Sequence, residues 1–239
     1  MYSLGFFIER CYSATGRADF SFGTVQGIIE LIDDILFITF RATDSKADWL
    51  NHFRCNSLSV SQAHAKVRVH FGWLSDYYGA AFRLYKIATP EMITAAKRVV
   101  FVGHSYGGAL AALASYFFGI DYPSKEISLV TFNAPRAGNG AFVNELEQRI
   151  PECRTWHFIY GSDIISKAPP YLLGYRAYKN RVLINPRPWL FAWVDSARVI
   201  AKWIKAALKR EPINFFEAVL AKDHMLPAFD EVRSLEVEA

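Results

Sequence analysis

Ser105 sits in Gly103-His104-Ser105-Tyr106-Gly107, where the apolar run VVFV gives way to the Ala/Leu-rich stretch after Gly108. Packing alone gives no reason to set glycines on both sides of one serine at a change of backbone period. Chemistry gives one. In a strand–turn–helix setting, Gly-x-Ser-x-Gly forms a nucleophile elbow, which holds the serine in a strained turn and lifts its hydroxyl clear of the sheet. Side chains at positions 103 and 107 would strike the neighbouring strand and helix, so glycine is expected at both. The Tyr106 N–H then stands at the positive end of the following helix, placed to stabilise an oxyanion.

A serine hydroxyl needs a base, and the base needs a group to orient it. In this kind of sheet the partners follow in the order Ser, acid, His. Of the six histidines, only His157 and His224 come after Ser105. His157 lies inside the apolar run RTWHFIY and reads as a packed core histidine. His224, in AKDHMLPAF, has a loop setting from which a side chain can reach over a sheet end; it is the expected base. Asp163 follows RTWHFIY directly, with Gly161 allowing the turn, and is the expected acid. Asp121 precedes a strand, and Asp195 falls on the polar side of a predicted helix. Asp223 adjoins His224 with no evident route to its ring. A second oxyanion donor is expected from the loop after FITF, where Thr43 offers a backbone N–H and a hydroxyl. This chemistry needs neither metal nor cofactor.

The elements that must position these groups follow from periodicity. TVQGIIELIDDILFITFRAT holds two β-rich runs around Asp33-Asp34 and reads as a hairpin. DYYGAAFRLYKIATPEMITAAK is helical in composition, interrupted near Thr89-Pro90. RVVFVG, EISLVTFN and RTWHFIY read as buried strands. YGGALAALASYFF and GNGAFVNELEQRI read as the helices between them. Alternation of strand and helix predicts an α/β fold with a mostly parallel sheet covered on both faces.

The totals agree with one such domain over residues 1–239, which show no repeat, low-complexity tract or linker. The chain is 52% hydrophobic and 15% aromatic, enough to fill a sizeable core. A net charge of +4 is too small to suggest a nucleic-acid partner. Three cysteines, Cys11, Cys55 and Cys153, form neither a zinc pattern nor a disulfide framework and read as small core residues. No signal peptide is read at the N-terminus, and no apolar run reaches the ~18 residues needed to span a bilayer. The expected location is the cytoplasm or a membrane surface, unless export uses another route.

Taken together, these segments resemble the class 3 lipase family, the fungal triacylglycerol lipase-like branch of the α/β hydrolases. FRATDSKADW is similar to that family's F-R-G-T/S-x-S-x-x-D-W segment, with Ala42 where the family has Gly. VHFGWLSDY is similar to its H-x-G-F segment. VGHSYGGALAALAS and TFNAPRAGNGAF resemble its elbow and the strand and loop that follow. GSDIISKAPP resembles its acid loop, with Ile165 and Lys167 as departures, and KDHMLPAF its terminal histidine segment. The similarity covers about residues 22–230. It implies a lipase or esterase acting on lipid esters through Ser105, Asp163 and His224, with Thr43 and Tyr106 as oxyanion donors. His70 and His104 match family positions where support of loop packing is expected.

Two further segments bear on substrate. A lid is implied over about Asp44–Ser57, with Trp49, Leu50 and Phe53 as apolar members; the same three serve equally well as core residues. RPWLFAWVDSARVIAKWIKAALKR, about residues 187–210, carries apolar residues at three- and four-residue steps, opposed by Arg198, Lys202, Lys205 and Lys209. It reads either as a surface helix packed on the sheet or as an interfacial helix favouring anionic lipid. The expected substrate is a glycerolipid. A phospholipase A-type activity and a catalytically silent membrane-binding module are the alternatives.

Overall fold

The computed structural model describes residues 2–13, 17–41, 57–60, 66–151, 154–161, 163, 165–186, 229–230 and 232–237. Seven strands form the central sheet among them: β2 (Phe20–Phe22), β3 (Val25–Ile32), β4 (Ile35–Phe40), β7 (Arg98–His104), β8 (Glu126–Phe132), β9 (Thr155–Tyr160) and β10 (Arg181–Ile184). Their order across the sheet is β10-β9-β8-β7-β4-β3-β2. The five from β10 to β4 are parallel, and β3 and β2 add on antiparallel. Two short pairs lie outside the sheet: β1 (Tyr2–Ser3) with β11 (Glu236–Val237), and β5 (Ser57–Ser59) with β6 (Arg68–His70).

The hairpin at Asp33-Asp34 is as expected. Ile32 pairs with Ile35, and the two aspartates take φ of 48° and 63°. Positive φ at both central positions matches the twist of a two-residue turn to that of its strands. The helical stretch after His70 divides as the sequence predicts, into α2 (Phe71–Ile87) and α3 (Pro90–Ala95). Thr89 caps α3 by accepting from the Met92 N–H, with Pro90 in the first turn where its missing N–H costs nothing.

The sheet separates two cores by strand alternation. On one face Leu36, Ile38 and Phe40 of β4 and Val99 and Phe101 of β7 pack against α2, α4 (Tyr106–Asp121) and α5 (Gly140–Arg149). On the other face Phe37, Val100, Val102, Val130 and Phe132 pack with α1 (Leu4–Ser13) and with Phe229. Cys11 is buried there and unoxidised, and burial pushes its thiol up to about 12, in keeping with a core residue. No helix among the described residues is long and apolar enough to cross a membrane.

Candidate active site

Ser105 stands where β7 becomes α4, with φ 55° and ψ −127°. For a residue with a Cβ this is a costly conformation, about 1–3 kcal/mol, held only when its surroundings over-determine it. The surroundings do so. The Ser105 N–H donates to the Phe132 carbonyl at 2.9 Å, and its own carbonyl accepts from the Gly108 N–H at 2.9 Å. Its hydroxyl is not spent on capping α4, and the residue is 2% exposed.

Glycines permit the turn, as the sequence predicts. A Cβ on Gly103 would lie 2.2 Å from the Gly107 carbonyl oxygen, and one on Gly107 would lie 2.4 Å from the Phe40 oxygen. Both contacts are with backbone, which cannot swing aside. Gly107→Ala therefore loses at least about 2 kcal/mol of stability, by the cost of overpacking a fixed site; a denaturant melt measures it. The Phe40 and Arg41 carbonyls press on this turn, so the loop leaving β4 departs beside the elbow. Thr43, the expected second oxyanion donor, lies outside the described residues, as do Trp49, Leu50 and Phe53.

Tyr106 opens α4 and is braced from α2. Its hydroxyl donates to Asp76 Oδ2 at 2.5 Å, and its ring meets Trp73 edge-on at 6.5 Å. His70 accepts from the Trp73 N–H and stacks on that indole at 4.1 Å, so it caps α2. Packing support is the role expected of it.

Asp163 lies just beyond β9, after Gly161 turns the chain with φ 59°. It is 1% exposed. Its carboxylate accepts from the Ser166 N–H at 2.7 Å and the Ile165 N–H at 3.3 Å, while Ser166 Oγ bonds its carbonyl. A buried carboxyl fixed by two backbone donors is an oriented one. Asn133 ties this loop to the elbow. With φ 47° it ends β8; its N–H donates to Phe158, and its Oδ1 accepts from the Tyr160 N–H. Arg136 completes the tie, its backbone N–H donating to Ala168 at 2.7 Å and its guanidinium to the Pro169 carbonyl at 3.0 Å. Asp76, Asn133 and Arg136 are not among the residues singled out from the sequence. Their signal was present: all three lie in the motif segments VHFGWLSDY and TFNAPRAGNG.

Asp121 ends α4, a helix of 16 residues that runs back from the elbow, about 24 Å away along its axis. It is thereby removed from the serine. Asp195, Asp223, the expected base His224 and the amphipathic segment 187–210 lie outside the described residues.

His157 is a core residue, as expected. It is buried, stacks on Tyr178 at 3.9 Å and shares a 2.7 Å hydrogen bond with Thr131 Oγ1. Burial, and secondarily the charge of Arg181, lower it from 6.5 to about 3. Between those values the unfolded chain binds a proton that the folded chain excludes. Stability is therefore fullest above about pH 6.5 and falls as pH drops towards 3. His157→Gln should flatten that slope; denaturant unfolding near pH 7 and at about pH 5 checks it.

A mostly parallel sheet with helices on both faces and a serine at positive φ on the strand–helix turn define the α/β-hydrolase fold. The chain belongs to the lipase (class 3) family, whose pattern matches residues 37–173. It is 30% identical over 159 residues to "Secreted mono- and diacylglycerol lipase 1" of Fusarium solani, covering 65% of this chain and 44% of that one. It is 23% identical over 192 residues to "Phospholipase A(1) DAD1, chloroplastic" of Arabidopsis thaliana, covering 73% of this chain and 42% of that one. Among solved structures it is similar to lipase II from Rhizopus niveus, with a TM-score of 0.60 and 26% identity over 67% of this chain and 62% of that one. The chain thus spans less than half the length of these two curated relatives.

Proposed function

We propose that the chain hydrolyses carboxylic esters of glycerolipids through a serine acyl-enzyme. Ser105 attacks the acyl carbon. His224 takes its proton, then returns it to the leaving alcohol, and Asp163 holds the imidazole in the required tautomer. The Tyr106 N–H, at the positive end of α4, and Thr43 stabilise the oxyanion. Water repeats the attack and frees the acid. The observation that carries this reading is the strained, glycine-flanked Ser105, tied through Phe132 and Asn133 to the loop that fixes a buried Asp163.

The end of the chain supports His224 as base. Phe229 is fully buried, edge-on to Phe132 at 5.2 Å and to Tyr160 at 5.6 Å. Those two rings end the strands that lead to Ser105's backbone partner and to Asp163. His224 precedes Phe229 by five residues in the sequence, and five residues of chain span at most about 17 Å, a reach compatible with the role of base. The glycerolipid class rests on family membership and on the lipase and phospholipase relatives.

Incubation with a fluorophosphonate probe should label the protein at one serine. A panel of mono-, di- and triacylglycerols and phospholipids, with products identified, then fixes the substrate. Absence of both labelling and hydrolysis would leave a lipid-binding module without catalysis.

A further inference from the structure

Beyond the acid loop the chain makes a single turn of 3-10 helix, Tyr171–Leu173, closed by Gly174 at φ 88°. Its side chains face solvent: Leu172 is 97% exposed, Leu173 52% and Tyr171 49%. Water contact on three consecutive large apolar residues is unfavourable by about 25 cal/mol for each Å² left bare. The turn is nevertheless held rigidly. Arg176 donates to the Tyr171 carbonyl, its N–H bonds the Gly138 carbonyl, and Tyr175 bridges to Asn139.

Cations surround the turn. The Arg136 guanidinium lies 3.7 Å above the Tyr171 ring, and that of Arg176 lies 5.5 Å from it. Arg68 faces Leu173 across a cleft of about 320 Å³ that Ser57 and Asn139 help to line. Among the described residues none of these three arginines forms a salt bridge. Burial lowers the Arg136 guanidinium, and the positive charges of Arg181 and Arg176 lower it further. The patch is thus apolar at its tip and cationic at its base, with no counter-ion among the described residues.

We propose that the Tyr171–Leu173 turn, flanked by the exposed Arg68 and Arg176 and braced from beneath by the buried Arg136, is a docking element for an anionic phospholipid surface. Apolar tips enter the acyl boundary while the guanidiniums of Arg68 and Arg176 behind them meet phosphate groups, the arrangement that interfacial segments use. Its place explains its use. Arg136 bonds the acid loop and follows the Phe132-Asn133 segment that holds Ser105, so a surface seated here lies at the rim where the serine stands. The choice of lipid rests on the glycerolipid reading, but binding is separable from hydrolysis.

The test therefore uses full-length Ser105→Ala protein, which cannot consume the lipid, in co-flotation with two kinds of vesicle: phosphatidylcholine alone, and phosphatidylcholine mixed with phosphatidylglycerol. The parent should bind the mixed vesicles more tightly, and less so as salt rises. Adding Leu172→Asp should weaken that binding about ten- to a hundredfold, and Arg176→Gln roughly fivefold. Leu172→Phe should restore it. Circular dichroism of each variant checks folding, and position 172 is exposed enough to accept all three side chains. The proposal fails if the Leu172→Asp protein binds mixed vesicles like its parent, or if the two vesicle types bind alike. It fails equally if Leu172→Asp alters only self-association in gel filtration.

Discussion

Ser105→Ala should lower turnover on a glycerolipid ester by roughly 10⁴–10⁶ and abolish fluorophosphonate labelling. The size of the effect follows from the role. Without the hydroxyl there is no acyl-enzyme, and what remains is whatever the oxyanion donors and substrate binding achieve with water alone. The fold should survive, because Ala keeps the Cβ and every backbone hydrogen bond of the elbow. Ser105→Gly makes a sharper case. Glycine tolerates φ 55° without the strain that serine bears, so this variant should be equally inactive yet more stable than the parent by about 1 kcal/mol. Turnover and denaturant midpoints measured on the same preparations test both halves. Retained turnover in either variant would reject Ser105 as nucleophile. Inactivity without the gain in stability would locate the strain elsewhere.

Legibility in the sequence followed how local each signal was. The elbow was readable because one short segment carries the whole constraint: two glycines that a Cβ would drive into backbone, a serine between them and a helix start. The paired aspartates of the β3–β4 hairpin and Pro90 behind Thr89 were readable for the same reason. The N-terminal helix α1 was not. Its run Leu4, Phe7, Ile8, Cys11 has helical spacing, yet Glu9 and Arg10 interrupt it in one dimension. In space Arg10 folds over the Phe6 ring and pairs with Glu30 of β3 at 3.0 Å. Strand β10 was hidden because it is an edge of four residues between basic side chains, with only Ile184 well buried. Its place depends on the parallel ladder with β9, a long-range contact that no local pattern announces. Asn133 and Arg136 lie in a motif segment, but their roles there were hidden. Each is an ordinary polar residue in a loop, and its value lies in what it ties: the end of β8 to the end of β9, and the elbow loop to the acid loop.

That tie is what makes the second large effect predictable. Asp163→Asn should reduce turnover by about 10⁴ while leaving the protein folded. Asparagine has nearly the same shape, but only one of its two terminal groups accepts a hydrogen bond. The short bond from the Ser166 N–H, at 2.7 Å, will claim the amide oxygen, as the better formed of the two. The amide NH₂ then takes the place of Oδ1, gives up the weaker bond from the Ile165 N–H, and presents donors where the proposed mechanism needs an imidazole N–H to be accepted. A histidine met in this way is held in the wrong tautomer, and the charge it gains during the reaction has no counter-charge. The fall should therefore appear in kcat with little change in KM, since no substrate contact is removed. Asp163→Ala should be inactive too, but it removes the acceptor for the Ser166 and Ile165 N–H groups in a site that is 1% exposed, and should cost about 1–3 kcal/mol of stability. Turnover and unfolding of the two variants side by side separate the charge from the scaffold. If the Asp163→Asn protein turned over like its parent, the acid would have to come from another carboxylate, and the ties through Asn133 and Arg136 would serve the fold alone.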